Sequence, residues 1–216
     1  MKVLQAQVTD VPEVQETNFL RRVLSADPTH PGFQHVYHLL DDFYLEGPNG
    51  RHQCIVTELL GEGLDRYAKR FPKAQIPISI VKSILRPVIL ALMYLHEKCN
   101  IIHTDVKSNN ILLVPPDGAN PSVLPTESPT VKVIDLGVAC WADHTEEHWT
   151  DLIQSPEFHA PEIFDPLFPT LDFCAKVAIG AGWGTPAEVY ELTTGKFLFP
   201  HDIHRTVHVS PPRHIL

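Results

Sequence analysis

The chain has 216 residues, 44% hydrophobic and 20% charged, with a formal net charge of -9. That length buries a real core in one or two domains, and the acidic balance argues against non-specific nucleic-acid binding while suiting a basic partner. Cys54, Cys99, Cys140 and Cys174 form no C-x-x-C pair and read as reduced thiols of an intracellular protein.

Met1-Lys2-Val3-Leu4 runs at once into polar residues, so no signal peptide is expected. No apolar run reads as bilayer-spanning. Residues 10–24 are expected to form a helix, with Asp10 as its cap, Pro12 in its first turn, and Leu20, Val23 and Leu24 on its apolar face. Val36–Tyr44 and His52–Leu60 read as strands separated by the turn signal Gly47-Pro48-Asn49-Gly50. Ile78–Leu95 is a long apolar helix, and Pro87 inside it predicts a kink costing roughly 3 kcal/mol unless neighbours compensate. Ile111–Val114 and Val131–Ile134 read as short strands flanking a Pro/Ser/Asp/Gly insert, Pro115–Pro129. Residues 164–178 show no period, Ala187–Leu192 suggests a piece of helix, and the proline-rich stretch from His201 reads as a disordered tail.

The densest chemical signal is the segment Tyr94–Asn110, which closes with His103-Thr104-Asp105-Val106-Lys107-Ser108-Asn109-Asn110. Asp135-Leu136-Gly137 and Ala160-Pro161-Glu162 follow in order. Each triplet alone is common by chance, and a lone Asp is usually a solvated loop residue. The ordered set resembles the catalytic half of a protein kinase.

The resemblance implies an α+β, protein-kinase-like fold with ATP and Mg2+ as cofactors. It implies that Asp105 accepts the proton of a substrate hydroxyl and that Lys107 reaches the transferring phosphate, a lysine typical of serine/threonine kinases. Asn110 and Asp135 would be hard oxygen ligands for magnesium. Lys2 resembles the strand lysine that holds the α- and β-phosphates, and Glu16 its ion-pair partner. Ile55–Gly61 resembles the last N-lobe strand and hinge, with Thr57 as gatekeeper and with the Glu58 carbonyl and Leu60 amide meeting the adenine edge. Cys99–Asp105, Asp135–Trp141, Asp151–Glu157 and Glu191–Phe199 are similar to the fungal SR-protein kinases. The implied partner is a protein substrate with Arg/Ser-rich segments. A monomer in the cytoplasm or nucleus, touching neither nucleic acid nor membrane, is expected.

The chain also departs from the pattern. It contains no G-x-G-x-x-G, no Asp-x-Trp after Ala-Pro-Glu, and His159 where an arginine is usual. The expected organisation is therefore a partial N-lobe at 1–60, a partial C-lobe at 61–200 and a tail at 201–216, as in a truncated or aberrantly spliced product. These departures leave open a catalytically impaired binding module. His144-Thr145-Glu146-Glu147-His148 fits the zinc motif H-x-x-E-H, but it sits where a kinase has its activation loop. His201, His204 and His208 read as part of a solvated tail.

Overall fold

In the computed structural model, residues 1–12, 14–116, 128–143 and 189–196 are described. The Ala160-Pro161-Glu162 triplet, the H-x-x-E-H motif, residues 164–178, the 201–216 tail and most of the Pro115–Pro129 insert lie outside them.

A three-stranded antiparallel sheet has β1 (Lys2–Val3) beside β3 (Gly50–Thr57), with β2 (Leu39–Gly47) on the other side of β3. The turn signal sets this register: Gly47 faces Gly50, so Pro48 and Asn49 make the connection. Pro48 supplies a fixed φ, and Gly50 takes φ +113°, a value that strains any side-chain-bearing residue. The strands lie displaced from expectation. Val36 instead makes an isolated parallel bridge to Val133, and a register irregularity lies between Leu39 and Asp41.

Only the second half of the expected 10–24 helix forms, and a separate short helix precedes that range. α1 (Ala6–Thr9) is a single turn, and Asp10 stands at its C-terminal boundary rather than capping a longer helix. α2 (Glu16–Ser25) starts after Gln15. The hydrophobic periodicity belongs to α2 alone, whose Phe19, Leu20 and Val23 are buried with Glu16 and Thr17.

α3 (Leu64–Ala68) is a short helix that the sequence reading left unassigned. α4 (Ile78–Tyr94) continues through Pro87 and passes into a π-helical turn, Leu95–Cys99, which ends on Asn100 in the left-handed region at φ 62°. The 22-residue stretch Ile78–Cys99, with hydropathy 1.8, is long and apolar enough to cross a membrane. That corrects the expectation of no such run. Length and composition do not separate a membrane helix from a core helix. Here Ile80, Val81, Ile84, Val88, Ala91 and Tyr94 are buried and join the main core cluster.

Past α4, β4 (Ile101–Ile102) pairs antiparallel with β7 (Cys140–Trp141), and β5 (Ile111–Leu113) with β6 (Val131–Val133). These two pairings set the segments 103–110 and 134–139 side by side. Residues 189–194 are helical; Leu192 joins the core and its carbonyl accepts from the Ile76 amide at 2.8 Å.

Candidate active site

Three charged side chains from distant parts of the chain meet at one point. Lys2 Nζ donates to Glu16 Oε2 at 2.6 Å and to Asp135 Oδ1 at 3.0 Å. Burial opposes the Lys2 ammonium, but the Glu16 and Asp135 carboxylates outweigh it and hold its pKa above the ordinary lysine value. Burial likewise opposes the Asp135 carboxylate, yet Lys2 and the Gly137 amide pull its pKa below the usual range. Glu16 is nearly inaccessible, with 3% of its side chain exposed, whereas Asp135 keeps 44%. The lysine is thus anchored on the buried acid, and the exposed acid stays open to a ligand.

Asp135 has φ 65°, uncommon for a residue with a side chain. Gly137 explains the third letter of its triplet. A Cβ there would lie 3.0 Å from Asp135 Oδ1 and 3.1 Å from Lys2 Nζ, crowding the ion pair.

A second group lies on the 103–110 segment. Lys107 Nζ is 2.7 Å from Asp105 Oδ2. Asn110 Nδ2 donates to the Asp105 carbonyl at 2.9 Å and to Asp105 Oδ2 at 3.0 Å. The Ile134 amide donates to the Asn110 carbonyl at 2.9 Å, which sets Asn110 next to Asp135. His103 supports the segment from beneath: its Nδ1 accepts the Asp105 amide at 3.2 Å and its Nε2 lies 2.8 Å from the Ile134 carbonyl. That pair of partners selects the neutral tautomer with the proton on Nε2. Complete burial, outweighing the nearby carboxylates, pulls the His103 pKa below its ordinary value.

Lys2, Glu16 and Asp135 border a cleft of about 310 Å³ lined also by Tyr37, Thr57 and Glu58, among others, and the second group adjoins it through the Asn110 carbonyl, which accepts from the amide of the lining residue Ile134. Leu60, Leu112 and Ile134 supply apolar lining, which suits a flat heterocycle. Glu58 is fixed by its own side chain, which accepts from Lys132 Nζ at 2.6 and 2.8 Å and from the His38 amide at 2.9 Å. Its carboxylate is therefore structural. All nine sequence-nominated residues of this site are thus placed: Lys2, Glu16, Thr57, Glu58, Leu60 and Asp135 line the cleft, and Asp105, Lys107 and Asn110 form the adjoining cluster.

Sequence reasoning missed Tyr37, which stands among the cleft residues and touches both Glu16 and Leu136. It had been read only as part of a strand, and no motif marks it. The contact of Thr104 was also missed. Its hydroxyl donates to the Val138 carbonyl, steadying a β-branched residue at φ 63°.

With this geometry established, likeness to known proteins adds a second line of evidence. The protein kinase domain family model matches residues 10–212. The chain belongs to the protein kinase domain family. Within that family it is similar to a serine/threonine-protein kinase SRPK of Physarum polycephalum, 31% identical over 230 residues, covering 85% of this chain and 51% of the relative. It is 44% identical over 100 residues to the human SRSF protein kinase 3, covering 46% of this chain and 18% of that protein. It is 43% identical over 101 residues to the serine/threonine-protein kinase SKY1 of Saccharomyces cerevisiae, covering 45% and 14%. The chain therefore spans about half the length of the first of these kinases and under a fifth of the other two.

The donor set of the cleft and the adjoining cluster is one that ATP and magnesium would fit. Asp135 offers a half-exposed carboxylate. Asn110 spends its amide nitrogen on Asp105, leaving its amide oxygen as the available donor atom. Among the described residues no cluster of three His, Cys, Asp or Glu could hold a metal. A sparse oxygen set is the form expected for magnesium, which keeps waters and substrate phosphates as its remaining ligands.

Proposed function

We propose that this chain carries out serine/threonine protein phosphorylation, moving the γ-phosphoryl group of ATP to a hydroxyl of an Arg/Ser-rich protein segment. The observation that carries the reading is Lys2, held simultaneously by Glu16 and Asp135. That arrangement places a cation and an open carboxylate where a triphosphate would lie.

Bound magnesium would supply charge neutralisation for the phosphates, with Asp135 and Asn110 as its protein ligands. The chain's own residues do the rest. Lys2 pairs with phosphate oxygens and is kept charged by Glu16. Thr57, Glu58 and Leu60 form the edge that meets the adenine. The Asp105 carboxylate orients the substrate hydroxyl and takes its proton, while Lys107, beside it, offsets charge on the phosphoryl group in transfer. The net charge of -9 favours an arginine-rich substrate, and the similarity to an SRSF protein kinase points the same way. Buried thiols at Cys54 and Cys99, neither in a disulfide, suit the proposed cytoplasmic or nuclear setting.

The test is transfer of labelled phosphate from magnesium-ATP to an Arg/Ser-repeat peptide by the full chain. Labelled serine that disappears with Asp105→Asn supports the reading. Nucleotide binding without transfer to any peptide would instead make the chain a docking module and overturn the enzymatic proposal.

A further inference from the structure

Tyr37 occupies a position that the phosphoryl-transfer chemistry does not by itself require. It is 6% exposed, and both ends of the residue are fastened. Its amide donates to the Val133 carbonyl at 3.0 Å. Its phenol accepts from the Leu136 amide at 3.0 Å and donates to Glu16 Oε1 at 2.9 Å. Residues 133 and 136 flank Asp135, so one side chain and its own backbone clamp that segment from both sides. The other oxygen of Glu16 binds Lys2, and Lys2 binds Asp135. The contacts therefore close a ring: Lys2, Glu16, Tyr37, Leu136, Asp135 and back to Lys2. A phenol suits this place because it donates to a carboxylate and accepts from an amide at once. Phenylalanine keeps the ring but can do neither.

We propose that Tyr37 is a positioning residue that fixes the backbone of Asp135, and so sets the affinity of the cleft for metal-bound nucleotide. The proposal rests on the kinase reading for its ligand but not for the clamp itself. Burial and the neighbouring Glu16 carboxylate raise the phenol pKa well above its ordinary value, so the donor proton stays in place at neutral pH.

The experiment compares the parent chain with Tyr37→Phe by amide hydrogen exchange and by nucleotide titration. Loss of a buried hydrogen bond leaves the Leu136 amide without its acceptor, a cost of order 1–3 kcal/mol, or roughly tenfold or more in local opening. Exchange at Leu136 should therefore speed up about tenfold, with core amides such as those of α4 unchanged. Affinity for magnesium-ATP should fall by a similar factor, while adenosine, which meets only the hinge, should bind within about twofold of the parent. Unchanged Leu136 exchange overturns the proposal. So does an equal fall for adenosine and magnesium-ATP, which would mark a general structural role. Glu16→Gln is the second variant. It leaves an acceptor for the phenol, so Leu136 should stay protected even as magnesium-ATP weakens; Leu136 exposure in this variant would place the clamp in the ion pair and not in Tyr37. If the parent chain binds no nucleotide, the kinase reading fails, and Leu136 exchange still decides the clamp.

Discussion

Asp105 is held by Lys107 and Asn110 in a geometry that leaves little freedom to its carboxylate. Asp105→Asn keeps the size and the hydrogen-bonding reach but removes the basic oxygen. Turnover should drop at least a hundredfold, within the range assigned to general base catalysis, while nucleotide affinity stays nearly constant. Equal turnover in the variant would remove Asp105 from its assigned role. His103 supplies a pH prediction. Burial lowers its folded pKa below the unfolded value of about 6.5, so the unfolded chain binds the extra proton. Stability is therefore complete above about pH 6.5 and falls as pH drops below it. Burial also lowers the pKa values of His35 and His38, and they act in the same direction. Melting temperatures from pH 7.5 to 5.5 should decline, and His103→Asn should flatten part of the slope. A parent chain whose melting point is level across that range would refute the burial argument. At this scale the motifs marked Asp105, Asn110 and Asp135, and the fold sets the segments that carry them side by side. The sequence was silent at Tyr37, because a tyrosine in a strand acquires meaning only from the residues that the fold brings to its hydroxyl.

At the level of elements, α2 is tied to the elements that flank the 103–110 and 134–139 segments by contacts that need no phosphate. Arg22 donates to the Lys98 carbonyl at 2.8 Å and to the Cys99 carbonyl at 3.3 Å. Trp141, on β7, donates its indole N–H to Gln15 at 2.8 Å and packs on Phe19 with ring centroids 4.8 Å apart. Tyr94 of α4 donates to the Val23 carbonyl near the end of α2. Glu16 at the head of α2 is thereby held against Lys2. Thr104, bonded to Val138, stands where many kinases place an arginine that awaits a phosphorylated loop. Activity should accordingly survive phosphatase treatment, and a large loss of peptide phosphorylation afterwards would show that some other basic group senses a loop phosphate. Trp141→Ala should weaken the hold on α2, costing about 1–3 kcal/mol because the indole is only partly buried. A chemical melt checks this, and a change under 1 kcal/mol would mean the indole contributes little. The hairpin was legible because Gly-Pro-Asn-Gly has a local mechanism. The start of α2 was not, since Asp10 and Pro12 imitate a helix start although α1 ends at Asp10 and α2 begins only at Glu16.

For the whole molecule, the sheet, α2 and the 101–141 segment form a site only together, since Lys2 and Asp135 are 133 positions apart in the chain. The resemblance to protein kinases implied that Lys2, Glu16 and Asp135 serve one nucleotide site; the direct ion pair of Lys2 with Asp135 was not among its expectations. The pairing of β4 with β7 escaped notice because each strand has only two residues, too few for any period. A ligand that spans the site should stabilise the chain as one unit. At a free concentration of about ten times Kd, the gain is about 1.4 kcal/mol, or a rise in melting temperature of roughly 3–6 °C for a chain of this size. Because Asp135 is the exposed partner of the ion pair and Glu16 the buried one, the metal contribution should reside mainly in Asp135. Magnesium-ATP should raise the melting point of the parent chain, chelation of magnesium should abolish most of the rise, and Asp135→Asn should do the same with magnesium present. A rise of equal size without magnesium would place the nucleotide on Lys2 and the hinge alone, and would remove Asp135 and Asn110 from the proposed metal site.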